Sequence, residues 1–73
     1  MKMNLSEIMI PESFEISKPN TSKYVKCEKY YNETGNQDRY IVVDENNILV
    51  DGYIMYLVLK SHDVEYCDAK RLT

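Results

Sequence analysis

The chain has 73 residues, enough for one domain with a small hydrophobic core. It is 44% hydrophobic and 29% charged, with a net charge of -3 and a pI near 5.0. Such an acidic chain lacks the overall positive charge that supports non-specific nucleic-acid binding. Seven tyrosines accompany one phenylalanine, and we expect them mainly to cover a thin core while their hydroxyls reach water.

Cysteine spacing and hydropathy narrow the class of protein further. Cys27 and Cys67 form no CxxC pair and His62 is the single histidine, so we expect neither a metal site nor another cofactor. The beginning of the chain shows no secretory signal, and the longest apolar run, residues 48–59, is too short to span a bilayer. These features predict a cytoplasmic protein with reduced cysteines and no membrane association.

The first elements are weakly marked in the sequence. Residues 5–10 alternate and end at Pro11, which predicts a short edge strand or an extended arm. Residues 12–17 are expected to continue as irregular or extended chain. Phe14 and Ile16 are the side chains that we expect to anchor this segment in the core.

A helix over residues 21–33 is the first clear element, and either Asn20 or Thr21 offers its N-cap oxygen. Gly35 suits a left-handed C-cap at its end. Three residues at spacings of three and four form its apolar stripe: Tyr24, Cys27 and Tyr31. Three lysines fall mostly on its other faces and form either a solvated surface or a local basic patch: Lys23, Lys26 and Lys29.

A β-hairpin is predicted next. Residues 39–43 contain three β-branched residues and a tyrosine, which favours a strand covered on both faces. Residues 44–47 form a turn in which the two asparagines tolerate positive φ, and residues 48–50 form the returning strand.

A second helix follows, from Tyr53 to about Ser61. Asp51 is expected to cap it by accepting hydrogen bonds from the first free N–H groups. Residues 64–69 alternate and predict a last strand with one face in the core. This order of elements predicts an α+β fold in a single domain over residues 1–73, a mixed sheet of three or four strands with two helices packed on it.

The stretch DRYIVVDENNILVDGYIMYLVLK, residues 38–60, resembles the core of the ParB-like nuclease and sulfiredoxin superfamily. Members of that superfamily show a strand, an acidic-asparagine turn, a second strand, and then a glycine-containing turn that opens a helix. The resemblance covers residues 5–69 and implies a ParB-like fold. It also implies a phosphate site at the glycine turn, because free N–H groups and a partial positive charge suit an anion.

The residues at that turn depart from the superfamily pattern. Aligned on Gly52, Tyr53 takes the position of the sulfiredoxin cysteine, and Met55 takes that of the usual arginine. Asp51 adds a negative charge that would repel a phosphate at the same place. We therefore expect no catalytic residue and no enzyme activity.

Three functions remain as hypotheses. The first is a non-catalytic interaction module, a small phage or mobile-element regulator or inhibitor that binds a protein or nucleoprotein partner. Its hairpin, its tyrosines or an acidic edge would make the contact, and the candidates for that edge are Asp38, Asp44 and Glu45. Both a monomer and a homodimer formed through an exposed edge strand are compatible with the sequence.

The second hypothesis is a DNA- or nucleotide-binding domain that uses the helix N-terminus at Gly52. Its candidate binding residues are Lys23, Lys26, Arg39, Asp51, Gly52, Tyr53 and Met55. The third is a residual nuclease or phosphotransferase, for which no general acid or base can be named.

Overall fold

The computed structural model describes residues 1–72 and shows helices packed on a four-stranded sheet. The elements in chain order are β1 (Lys2–Asn4), a short 3-10 helix (Leu5–Glu7), α1 (Glu12–Glu15), α2 (Thr21–Thr34), β2 (Ile41–Val43), β3 (Leu49–Asp51), α3 (Tyr53–Ser61) and β4 (Tyr66–Arg71). The strand order is β1-β4-β2-β3, in which β2 and β4 are parallel and the two outer pairs are antiparallel. This architecture confirms the predicted α+β class and the mixed sheet.

The core lies between one face of the sheet and the helices. Successive strand residues point to opposite faces, and those on the inner face are buried. They are Met3, Ile41, Val43, Leu49, Cys67 and Ala69. From the helices, α3 adds Met55, Val58 and Leu59, and α2 adds Cys27. None of the helices among residues 1–72 combines the length and the apolar character needed to cross a bilayer.

Helix α2 has the boundaries that its local signals predict. Asn20 is its N-cap, and Asn20 Oδ1 accepts a hydrogen bond of 3.1 Å from the backbone N–H of Lys23. Gly35 ends the helix in the left-handed conformation with φ 70°, and its N–H donates to the carbonyl of Tyr31. Both capping predictions are confirmed.

The beginning of the chain differs from the prediction of one strand over residues 5–10. Strand β1 lies earlier and pairs with β4, with Met3 opposite Cys67. The chain then turns into the 3-10 helix, because Asn4 Oδ1 accepts the N–H of Ser6 at 2.9 Å. Further along, Met9 pairs with Ile48 in a single parallel bridge on the outer side of β3.

Residues 12–17 also differ, since they form the short helix α1 rather than extended chain. Phe14 packs against the core, with its ring centroid 5.3 Å from that of Tyr53. Ile16 is 75% exposed, so the prediction of a core anchor there is wrong. In a helix, two residues separated by one other point to nearly opposite sides, whereas in extended chain they share a face.

The β-hairpin is confirmed, with β2 and β3 antiparallel and a bulge at Val42 and Val43. Asp44 orders the turn, because its Oδ1 accepts the N–H of Asn46 at 2.8 Å and that of Ile48 at 3.0 Å. The prediction that β2 is covered on both faces is wrong at Val42, which points away from the core and is partly exposed. The side of the sheet opposite the helices is therefore open there.

Candidate functional site

The turn between β3 and α3 depends on Gly52. This residue is the N-cap of α3 and has φ 90° and ψ 25°, a left-handed conformation that disfavours other residues. A Cβ atom here would lie 3.0 Å from the carbonyl oxygen of Tyr40 and 3.1 Å from the Cα of Ile41. The close approach of the β2 backbone therefore requires glycine, and Gly52 is the strand-to-helix bend that the sequence predicts.

Asp51 does not cap α3 in the predicted way. Its Oδ1 accepts a hydrogen bond of 2.8 Å from the N–H of Gly52, the residue that precedes the helix. The reason is positional: the left-handed Gly52 is itself the N-cap, so Asp51 lies one residue too early. Within the described chain, no side-chain oxygen therefore caps the N-terminus of α3.

A depression of about 280 Å³ opens at this helix N-terminus. Three cationic side chains line it, from Lys18, Lys23 and Arg39, and Asp51 contributes one carboxylate. This combination of a helix N-terminus with three cations can attract an anion. The sequence did not identify Lys18 as a candidate binding residue. Pro19, directly after it, is the signal that could have done so, because it marks the turn of the chain before α2.

Two other predicted binding residues lie outside the depression. Met55 is fully buried, with its Sδ 3.5 Å from the Sγ of Cys27, so it cannot contact a ligand there. Met55 shares the buried face of α3 with Val58 and Leu59, three and four residues later, which explains this placement. Lys26 is exposed on α2 and does not line the depression in the part of the chain that is described.

Tyr53 lines the depression and packs against aromatic neighbours. The ring lies between two aromatic neighbours, with centroids 5.3 Å from Phe14 and 6.3 Å from Tyr56. These contacts hold the first turn of α3 against α1. Tyr53 therefore supplies a wall of the depression.

The structure does not bring the three predicted acidic-edge residues together. Asp38 precedes β2, whereas Asp44 and Glu45 follow it, so the strand separates them. Asp38 Oδ1 lies 3.4 Å from the Nε of Arg39, and Asp44 holds the hairpin turn. Within residues 1–72, no three histidine, cysteine or acidic side chains lie in an arrangement that could hold a metal ion.

Both cysteines are free and buried. Burial, reinforced by the carboxylate of Asp38, raises the pKa of the Cys27 thiol to about 11. Burial likewise raises the pKa of Cys67. Each thiol is therefore protonated near neutral pH, and neither has the thiolate character of a nucleophile.

A second surface, which the sequence analysis did not single out, lies on the open side of the sheet. We call it the outer face and define it by the outward side chains of Tyr40, Val42, Val50, Tyr66 and Lys70. Tyr66 is 58% exposed, Tyr40 is 48% exposed and Val50 is 42% exposed. The alternation of β4 is the sequence signal for this face, since Cys67 and Ala69 point inward between Tyr66 and Lys70.

Two further apolar side chains extend the outer face at its margins. Met9 shares the register of Ile48 beside β3, and it is 60% exposed. Leu72 continues the ladder beyond β4, because its N–H donates to the carbonyl of Val43 at 2.7 Å, and it is 58% exposed. The outer face thus gathers exposed aliphatic and aromatic groups from three strands and their flanks.

Polar contacts organise the rest of the outer face. Lys70 Nζ lies 4.3 Å from the ring centroid of Tyr40. Lys2 Nζ and Asp68 Oδ1, on β1 and β4, form a salt bridge of 2.8 Å. Lys2 therefore has a carboxylate partner on the outer face, whereas Lys70 contacts the ring of Tyr40.

Comparison with known proteins identifies the fold. No protein-family model and no curated protein sequence matches the chain. Two solved structures of pNOB8-like ParB N-domains, one of them a C2221 form, superpose with TM-scores of 0.82 and 0.81. Each is 17% identical and covers 97% of this chain, which spans only 28% and 26% of theirs. The chain therefore has the ParB N-domain fold, as its resemblance predicted.

Proposed function

We propose that this chain is a non-catalytic interaction module on a ParB N-domain fold, and that it binds a protein or nucleoprotein partner through the outer face. The observation that supports the proposal is the concentration of large exposed apolar groups there. Five such side chains belong to the outer face or its margins: Met9, Tyr40, Val50, Tyr66 and Leu72. A concentration of exposed apolar side chains of this kind is typical of interaction sites.

The pairing of the strands supports the same proposal. Strands β2 and β4 form a parallel pair in the middle of the sheet. Parallel pairs are normally covered on both faces, whereas here helices cover the inner face. A partner on the outer face would complete the usual arrangement.

The chemistry at the α3 depression favours a module without catalysis. Asp51 is the one carboxylate among its described lining residues, and it is already bonded to the N–H of Gly52. General acid–base catalysis needs a proton-transfer group within hydrogen-bond reach of the reacting atoms. The other charged side chains that line it are cationic, from Lys18, Lys23 and Arg39.

A position-specific photo-crosslinking experiment tests the module. A photoreactive amino acid at Val50 is compared with one at Val25, which is exposed on α2. In lysate of the native host, we expect the Val50 probe to yield one stoichiometric protein partner by mass spectrometry and the Val25 probe to yield none. Equal labelling from both positions, or recovery of nucleotide alone, would contradict the proposal.

The biological setting is part of the same proposal. We expect the partner to belong to nucleic-acid machinery that a phage or mobile element regulates or inhibits. The sequence of the crosslinked protein decides this directly, because an unrelated metabolic enzyme as the sole partner would exclude that setting.

A second candidate function is anion binding at the α3 N-terminus. The three cations around free N–H groups favour it, and such binding should weaken as salt is added. Calorimetry with a nucleoside triphosphate at low salt measures this binding. Lys23→Ala and Arg39→Ala should each weaken it about tenfold, which corresponds to about 1.4 kcal/mol of binding free energy. Lys29→Ala is the matched control, because Lys29 lies on α2 beside Glu33 and away from the depression.

A further inference from the structure

The size of the outer face limits what can cover it. Six residues of β4 span about 20 Å, and four strands at their usual spacing span about 14 Å. The flat footprint of this face is thus roughly 300 Å², about the area that one secondary-structure element covers. One helix, about 10 Å wide and about 21 Å long over 14 residues, matches these dimensions.

The charged side chains of the outer face indicate whether that helix should carry negative or positive charge. Lys70 is exposed, and none of the carboxylates among residues 1–72 forms a salt bridge with it. The carboxylate of Asp68 is paired with Lys2 at 2.8 Å, and that of Asp51 is bonded to the N–H of Gly52. Lys70 is therefore an exposed cation of this face that lacks a salt-bridge partner among residues 1–72, although the whole chain carries -3.

Two other occupants fit these contacts less well. Nucleic acid would bring several phosphates to a face on which Lys2 is already paired with Asp68 and Lys70 already lies over the ring of Tyr40. A second copy packed face to face on a two-fold axis would place two Lys70 side chains on one interface. Neither arrangement supplies the carboxylate that Lys70 lacks.

We infer that the outer face binds an acidic amphipathic helix, a step that rests on the proposed interaction module. Its apolar side covers Val42, Val50 and the free edge of Tyr40, and one of its carboxylates pairs with Lys70. The helix would take the place opposite α3, so that helices cover the parallel strands on both faces. Recognition of an amphipathic helix by an apolar surface is a recurring mode of peptide binding.

Two designed peptides test the inference on the full isotope-labelled chain. One has 14 residues with leucines on one side and glutamates on the other, and in the second peptide lysines replace the glutamates. In NMR titrations, the acidic peptide should shift the amide signals of Val42, Val50 and Lys70 and bind at least tenfold more tightly than the basic one. Shifts confined to α2 and α3, or equal affinity for both peptides, would overturn the inference.

Reversing the charge of Lys70 provides a second test with the same two peptides. Lys70→Glu should invert the preference between the two peptides, whereas Lys26→Glu, on exposed α2, should leave it unchanged. A 12-nucleotide oligothymidine serves as a probe for nucleic acid. If it shifts the same amide signals and its binding depends on Lys70, nucleic acid rather than a helix is the ligand of the outer face. Analytical ultracentrifugation could instead show a dimer that Val50→Asp dissociates. In that case a second copy of the chain, and not an acidic helix, would cover the outer face. Either of these two results overturns the inference.

Failure of this inference can be told apart from failure of the module itself. If the Val50 photo-crosslink captures a partner while the peptides show no charge preference, the module stands and the acidic helix is excluded. If neither the crosslink nor any peptide reaches the outer face, the module also falls.

Discussion

Met55 Sδ lies 3.5 Å from Cys27 Sγ in the core, so the position that the ParB-like resemblance assigns to an arginine here joins α3 to α2. Both residues are buried, and the contact ties the first turn of α3 to the middle of the longest helix. Met55 is thus a packing residue in this chain. The cations that line the depression, Lys18, Lys23 and Arg39, come from other parts of the chain.

Placing an arginine at Met55 should therefore destabilise the protein rather than create an anion site. Met55→Arg would bury an unpaired cation, and we expect a loss of about 3–5 kcal/mol in the free energy of unfolding. Met55→Leu is the control and should cost less than about 1.5 kcal/mol, because it keeps an apolar group of similar volume. Urea titration followed by circular dichroism measures both. An arginine variant as stable as the leucine variant would mean that the side chain escapes to the depression.

Local signals predicted the middle of the chain well. Asn20 and Gly35 bound α2 because capping depends on one residue and its immediate neighbours. The hairpin and the bend at Gly52 followed from turn residues between short apolar runs. These elements needed no knowledge of distant parts of the chain.

The remaining features depend on pairings between distant residues. Met3 is a strand residue because Cys67 lies opposite it, 64 positions later, and no local pattern near Met3 reports that. The exposure of Val42 depends on the absence of a helix over one face of the sheet, which composition alone does not reveal. Lys18 and Arg39 meet at the depression although a whole helix separates them in sequence.

The two glycines, both left-handed, should differ in their tolerance of alanine. A Cβ at Gly35 meets no other atom within 4 Å, so Gly35→Ala should cost only the backbone strain, about 1 kcal/mol. Gly52→Ala adds a collision with the β2 backbone at 3.0 Å and should cost about 2–4 kcal/mol in all. Thermal and urea unfolding of the pair measure this difference. Equal losses would show that β2 moves aside freely.

Gln37 should contribute to stability as a substitute for a strand residue. Its Nε2 donates to the carbonyl of Asp68 at 3.0 Å, and its Oε1 accepts the N–H of Asp68 at 2.6 Å, so the amide pairs with β4 just before β2 begins. Gln37→Glu removes the donor and should cost about 1–3 kcal/mol.

Asn36→Asp is the matched control for Gln37→Glu. It adds the same charge at the exposed neighbouring position, and we expect a change within about 0.5 kcal/mol. Denaturant midpoints at pH 7 compare the two variants. Equal destabilisation would assign the effect of Gln37→Glu to charge rather than to the lost hydrogen bond.

Cys27 should make the stability of the folded chain fall at alkaline pH. In the fold, burial first and then Asp38 raise the pKa of its thiol from 9.0 to about 11. The unfolded chain therefore releases this proton at lower pH than the folded chain. The stabilisation is complete below about pH 9 and is lost as the pH rises toward 11.

Comparison with Cys27→Ala isolates this contribution, because every other ionisable group is common to both proteins. The free energy of unfolding of the parent should fall more steeply between pH 9 and 11 than that of the variant. A thiol reagent at pH 8 should modify Cys27 only as fast as the chain opens, since the thiol is buried as well as protonated. Parallel pH profiles, or rapid modification of the folded chain, would show that the thiol ionises as freely in the fold as in the unfolded chain.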